Sequence, residues 1–416
     1  MQAEILTTGE EIRSGALVDS NSAYIARELE QAGIEVIRHS SVGDDRNAIV
    51  SILQEIAGRS NFAIVTGGLG PTGDDLTAEA AADAAGVELA QNPQALESVE
   101  AFFKAHSTPV TQSNLKQALL PIGADCIINP VGSAPGFQMK LKECEIFFLP
   151  GVPFEMQTML TGSVLPRLIH LTGQESVAHL AITLSTFGLT ESATADQLQG
   201  FAKRFPSLKL GFRAKFAEIH VKLYGSGSKK DELRKEMTQA ENWIAQRLGN
   251  KVFSHTGESL EEAVGRLLRD RHETLAMAES CTGGLIADLI TEVPGSSDYF
   301  LLSTVTYANE SKINILNVPA ETLDRYGAVS EETAARMASG VRRISGATYG
   351  LATSGIAGPG GGTDAKPVGT LCVALATADS VGTRHYHLKF GDRRMTKRLF
   401  AAVALNMLRR ELTKQR

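Results

Sequence analysis

The sequence predicts an α/β protein in three parts: a parallel-sheet domain, a small α+β module and a second α/β domain. Three observations carry this. Strand-like and helix-like periods alternate over residues 1–172, the alternation lapses, and it resumes near Ser259. The length of 416 residues also exceeds the roughly 100 to 200 that one hydrophobic core organises. The domain boundaries are expected at 1–172, 173–255 and 256–416.

In chain order, AEILTTG, EVIRHSSVG and FAIVTGG read as strands, separated by NSAYIARELEQAG and by a helix with Ile49, Ile52, Leu53 and Ile56 on one face. CIINP and EIFFLPG add strands, and Pro166 with Gly173 marks the exit from the domain. From about Glu175 the pattern becomes AITLSTFG, a helix from Thr190, the strands LKLGF and AEIHVKLYG, a charged helix over Lys229–Leu248, and KVFS. Ser259 with Glu262 forms a capping box that opens the third part. There TLAMAES, YFLLSTVTY, TYGLATSG and TLCVALAT are strands, SEETAARMASGVRRISG is a helix, and a long last helix carries Leu399, Val403 and Met407.

Composition excludes several classes. A hydrophobic share of 43% with 21% charged residues is that of a soluble globular protein. Forty-one basic against 47 acidic residues, net -6, argue against a broad nucleic-acid footprint. No apolar run nears the roughly 18 residues of a membrane span, and the start lacks a signal-peptide pattern, so a cytoplasmic protein is expected. Cys126, Cys144, Cys281 and Cys372 show no CxxC spacing and read as small buried hydrophobes.

AESCTGGLIADLI places Ser280 where a strand ends and a helix begins, with Gly283 and Gly284 allowing close backbone approach. Amide groups gather there, so Ser280 is a candidate nucleophile beside an oxyanion or anion site. Taken alone, the segment reads as well as a helix N-cap. In TYANESK, Tyr307 and Lys312 flank the next strand-to-helix turn, and a buried Lys or Tyr can take a serine proton without histidine. SGIAGPGGGTDAKPVGT sets Gly358, Gly360 and Gly361 in a loop that can wrap a phosphate or an amide, with Lys366 as a source of positive charge. FGDRRMTKR adds Asp392, Arg393 and Arg398, as phosphate ligands or as a packed corner.

Near the other end, TGGLGPTGDDLT follows the strand FAIV and precedes a helix. This is a phosphate cradle in which Asp74 and Asp75 suggest a bridging divalent cation or, equally, helix-dipole complementarity.

AESCTGG, VTYANESK, GAVSEET, SGIAGPGGG, KPVGT and FGDRR, in that order, resemble the nicotinamide-nucleotide amidase domain of the CinA (competence/damage-inducible) family. The resemblance implies hydrolysis of nicotinamide mononucleotide (NMN) to nicotinic acid mononucleotide and ammonia. Ser280 would attack, Tyr307 and Lys312 would handle protons, and no cofactor would be needed. It implies substrate contacts at Thr282, Gly283, Gly284, Asn309, Gly358, Gly360, Gly361, Lys366 and Arg393. Residues 1–172 resemble the molybdopterin-binding-like domain that heads CinA proteins, through TGEEI, VDSNS, SNLKQA, NPVGSAPG and PGVPFE. That implies ADP-ribose pyrophosphatase activity, with Gly67, Gly68, Gly70, Thr72, Asn114 and Lys116 on the nucleotide. Mg²⁺ or Co²⁺ would sit on Asp74, Asp75 and Glu155. The module is compatible with a KH-like order but lacks a GxxG clamp, so a positioning role and a homodimer contact are expected in place of nucleic acid. The competing reading is a non-catalytic nucleotide- or pterin-binding regulator linked to DNA uptake.

Overall fold

The structure, a computed structural model, describes residues 2–173 and 177–414, so the module start expected near Glu175 lies outside the described residues. The chain divides into two compact units, Met1–Leu180 with Ser226–Leu233, and Ala181–Gly225 with Arg234–Arg416. Among the described residues no helix is long and apolar enough to cross a membrane.

The first unit is built on a six-stranded sheet. Its strands are β1 (Gln2–Thr8), β2 (Glu35–Val42), β3 (Phe62–Thr66), β6 (Asp125–Ile127), β7 (Gly136–Leu141) and β8 (Cys144–Leu149), in the order β2-β1-β3-β8-β7-β6. Short strands β4 (Leu89–Gln91) and β5 (Leu119–Pro121) pair separately. The expected parallel pairing covers β2, β1, β3 and β8, whereas β7 and β6 run antiparallel. A two-residue turn joins β7 to β8, which is too short for the crossover that parallel strands require. Ile49, Leu53 and Ile56 are buried as the 3.6-residue period predicts, against the face that carries Val65 and Phe148. Pro166 stands in the first turn of the helix Leu165–Thr172, directly after the π-helical turn Leu160–Val164, and Gly173 caps that helix in the left-handed region.

In the second unit, β9 (Ala178–Phe187), β10 (Leu208–Lys215), β11 (Glu218–Gly227) and β12 (Val252–Ser254) form a four-stranded sheet of order β10-β11-β9-β12, with the charged helix at Lys230–Leu248. The capping box at Ser259 and Glu262 forms as expected, with both reciprocal bonds in place. A five-stranded sheet follows: β13 (Leu275–Glu279), β14 (Phe300–Val305), β15 (Tyr349–Gly355), β16 (Thr370–Ala376) and β17 (Val381–His387), in the order β14-β13-β15-β16-β17. β14, β13 and β15 are parallel, and β16 and β17 antiparallel. Helices Leu260–Arg271, Leu285–Thr291 and Arg393–Leu412 cover one face, and Asn309–Leu316 and Glu331–Ser345 the other. All four cysteines are free and buried.

Both larger sheets share one topological device. From β1 the chain goes to β2 on one side and β3 on the other, and from β13 to β14 and then β15. A crevice opens at the carboxyl ends of strands where the order reverses, which is where α/β sheets bind ligands.

Candidate active sites at the strand ends

Ser280 follows directly on β13, and its amide donates to the Thr353 carbonyl at 3.0 Å, which ties it to the end of β15. Gly283 (φ 60) and Gly284 (φ 93) then turn the chain into the next helix through the left-handed region, where a side chain would be strained. Lys312, 1% exposed, comes from the helix that follows β14, and its Nζ lies 3.4 Å from Ser280 Oγ. Nζ also donates to the carbonyls of Thr306 (2.8 Å) and Tyr307 (3.1 Å). Burial holds the lysine below its ordinary pKa, opposed by Cys281 and Glu310. Burial likewise pushes the neighbouring Cys281 thiol up to about 12, so it stays an inert hydrophobe.

Glu279 organises the turn. Fully buried, its carboxylate accepts from the amides of Gly284 (3.0 Å), Ile286 (3.2 Å) and Ala287 (2.9 Å). The helix start therefore does not offer its amides freely to an anion, as the sequence suggested; most are clamped from inside the protein. The amides of Cys281 and Thr282, next in the chain after Ser280, have no acceptor from another residue among those described. The Thr282 hydroxyl is bonded to Thr353 at 2.8 Å and so braces the turn.

The remaining expected residues fall into two groups. Tyr307 is 62% exposed, and its hydroxyl accepts from Arg393 Nη2 at 3.2 Å; what it brings to Lys312 is its carbonyl. Arg393 Nη1 donates to the Gly358 carbonyl at 2.6 Å, tying the glycine loop to Tyr307. Lys366 Nζ is spent on the Tyr326 carbonyl at 2.7 Å, while Gly360, Gly361 and Asn309 stand exposed. Asp392 caps the last helix through the Met395 amide. One cation escaped the sequence reading: Lys397 Nζ lies 3.4 Å from where a Gly283 side chain would begin, and it has no ion pair among the described residues. Its position one turn after Arg393 in FGDRRMTKR was the available signal.

In the first unit, the carboxyl ends of β1, β3 and β8 surround a cavity of about 450 Å³. It is lined by Gly67, Gly68, Gly70, Asp74, Asp75 and Glu155, together with Glu11, Asp44 and Gln117, which sequence reasoning did not select as ligands. A side chain at Gly67 would run into the Thr8 carbonyl, so the close approach needs glycine. Asp44 is raised above the usual carboxylate range, first by burial and then by repulsion from Glu11, Asp74 and Asp75. Burial also raises Glu155, against a bond from Asn129, whereas the Thr72 hydroxyl lowers Asp74. Asp75 accepts from the Thr72 amide (2.8 Å) and hydroxyl (2.5 Å). Asn114 is used in a capping box with Thr111, and Lys116 braces the loop through the carbonyls of Thr72 and Asp75. Neither of these two lines the cavity. Among the described residues no three His, Cys, Asp or Glu side chains converge on an ion position. A divalent cation would fit only if substrate phosphates and water completed its shell, as Mg²⁺ commonly requires.

Comparison with known proteins gives three family matches: the CinA C-terminal domain over residues 257–412, a probable molybdopterin binding domain over 4–170, and the damage-inducible protein CinA KH domain over 182–254. A CinA-like protein of Desulfosudis oleivorans is 50% identical over 412 residues, 99% of this chain and all of its own length. One from Desulforapulum autotrophicum is 45% identical over 419 residues, covering 100% of this chain and 99% of the relative. A solved structure described as the protein CinA with unknown function, from Thermoplasma acidophilum, is 34% identical, covers 39% of this chain and 94% of its own, and has a TM-score of 0.37.

Proposed function

We propose, from the premise that this chain belongs to the CinA family, that its C-terminal region is a serine amidohydrolase acting on the carboxamide of NMN. The single observation that carries this reading is the set of three contacts at Lys312 Nζ. A neutral amine has two N–H groups and one lone pair. The carbonyls of Thr306 and Tyr307 accept the two N–H groups, which turns the lone pair toward Ser280 Oγ. Lys312 is then the general base and Ser280 the nucleophile, with no histidine required.

Ser280 Oγ bonds to the carboxamide carbon as its proton passes to Lys312. The resulting oxyanion faces the amides of Cys281 and Thr282. Collapse breaks the C–N bond, Lys312 returns the proton to the departing nitrogen, and ammonia leaves. Water, deprotonated by the same amine, cleaves the serine ester and releases nicotinic acid mononucleotide. Arg393 and the Gly358 loop hold the nucleotide, and Lys397 stands within reach of its negative charge. Tyr307, at the rim, orients substrate together with Arg393.

For the first unit we infer a metal-dependent ADP-ribose pyrophosphatase. Five carboxylates around one cavity repel a diphosphate unless a cation intervenes. Asp74 and Glu155 would hold Mg²⁺ or Co²⁺, which when bound supplies charge neutralisation for the diphosphate. The glycine loop offers its backbone to the phosphates, and Gln117, whose buried Oε1 has no partner among the described residues, lines the same space. Separate incubations of the purified chain with NMN and with ADP-ribose, each with and without Mg²⁺ or Co²⁺, test the two activities. Ammonia from NMN without metal, and AMP with ribose 5-phosphate only with metal, are expected. Intact bound ligand without turnover would favour a regulator.

A further inference from the structure

The helix Arg393–Leu412 begins at the amidase site, and at about 1.5 Å per residue its Arg409 lies roughly 24 Å farther along. There, between this helix, the edge strand β17 and the turn at Asn250, a cavity of about 500 Å³ opens, lined among others by Arg384, Tyr386, Met407, Arg409 and Arg410. A smaller cavity of about 190 Å³ shares Asn250, Tyr386, Arg409 and Arg410 and adds Lys251. We propose that this cavity is a second ligand site, taking a phosphate monoester on a ring-bearing body of nucleoside size.

The argument rests on Arg409. It is 5% exposed, and its Nε and Nη2 donate to Asn406 Oδ1 and the Asn250 carbonyl, both at 3.0 Å. Both acceptors are neutral, and no carboxylate among the described residues pairs with it. A guanidinium does not shed its proton in a protein, so a buried one without a counter-charge is strongly unfavourable unless an anion completes it. The walls repeat the imbalance. Arg410 has no side-chain partner among the described residues, and Arg384 donates only to the Thr383 carbonyl. Among the described residues Glu411 is the one carboxylate lining the cavity, and it is already paired with Lys414 at 2.6 Å.

Arginine forks match phosphate oxygens in pairs, which favours a phosphate over a single point anion. The space is larger than free phosphate needs and falls in the range of small-molecule pockets. Tyr386, Met407 and Leu375 supply an apolar wall on which a planar ring can rest. The site is independent of the proposed amidase chemistry.

The test is calorimetric titration of the full chain with inorganic phosphate, ribose 5-phosphate and AMP, in EDTA so that the metal-dependent cavity of the first unit is not loaded. AMP should bind saturably and more tightly than the other two, and the Arg384→Ala/Arg410→Ala double variant should weaken it tenfold or more. Arg393→Ala, at the amidase end, should leave this binding component in place, and the double variant should keep its ammonia release from NMN. Inorganic phosphate binding as tightly as AMP would overturn the nucleoside-sized ligand. AMP binding untouched by the double variant would overturn the site. Arg409→Met supplies a second readout in phosphate-free buffer: an equal or higher Tm with no Tm rise on adding AMP is expected, because the uncompensated charge has gone. A lower Tm with a normal AMP response would make Arg409 merely structural and contradict the proposal.

Discussion

Glu279 Oε2 accepts the amide of Gly284 at 3.0 Å, so the residue before the proposed nucleophile fixes the turn that follows it. The same carboxylate holds Ile286 and Ala287, and the Ser280 hydroxyl is therefore presented between two rigid points. In Glu279→Gln one oxygen becomes an NH₂ facing an amide, which leaves a buried donor unsatisfied at about 1–3 kcal/mol. Expected are a Tm lower by several degrees and a kcat at least about tenfold lower with KM within about twofold. Steady-state NMN kinetics and a thermal melt measure both. An unchanged kcat at the lower Tm would reduce Glu279 to a purely structural role.

Lys312 sets the pH profile. It acts as a base only when neutral, and burial lowers its pKa, so kcat/KM should rise with pH through an inflection below the ordinary lysine value. The sign for stability agrees. With the folded pKa lowered, the unfolded chain binds the extra proton between the two values, and this residue's unfavourable contribution is relieved as pH rises through that window. Lys312→Met should abolish the inflection and lower kcat by about 10²-fold or more. An identical profile in that variant would point to another base.

Arg393 joins the Gly358 carbonyl to the Tyr307 hydroxyl. Arg393→Ala removes two charge-assisted bonds, and kcat/KM for NMN should fall roughly 10- to 100-fold, mostly in KM. Arg393→Lys should recover little, because an ammonium does not reproduce the two-pronged fork. A Tyr307→Phe variant that loses less than about tenfold would fit the rim position; a loss as large as that of Lys312→Met would restore Tyr307 to proton transfer.

Much of this architecture was legible. Short continuous apolar runs such as TLAMAES and FAIVTGG located the central strands, which are buried along their whole length, and the abrupt glycines after them located both crevices. Lys312 was legible because it shares one strand-to-helix turn with Tyr307. Strand direction was not legible: CIINP reads as a strand but shows neither which neighbour it pairs nor in which sense, the strand Gly136–Leu141 escaped the sequence reading, and β7 and β6 turned out antiparallel. Side-chain direction was lost as well. Lys116 and Lys366 look like phosphate ligands in sequence, yet both bind backbone carbonyls, Lys116 in a loop and Lys366 at a helix end, and Asn114 caps a short helix. Glu11 lies on the short helix Glu10–Arg13 and Asp44 on the loop after β2, and only the sheet brings them to one cavity. Glu279 reads as the last residue of a strand until its partners five, seven and eight residues ahead are seen.

The most direct test of the account is ammonia release from NMN by the wild-type chain and by Ser280→Ala, with nicotinic acid mononucleotide quantified alongside. The account predicts equal amounts of both products from wild type and a rate at least about 10³-fold lower in the variant. A Ser280→Ala rate equal to wild type would contradict it.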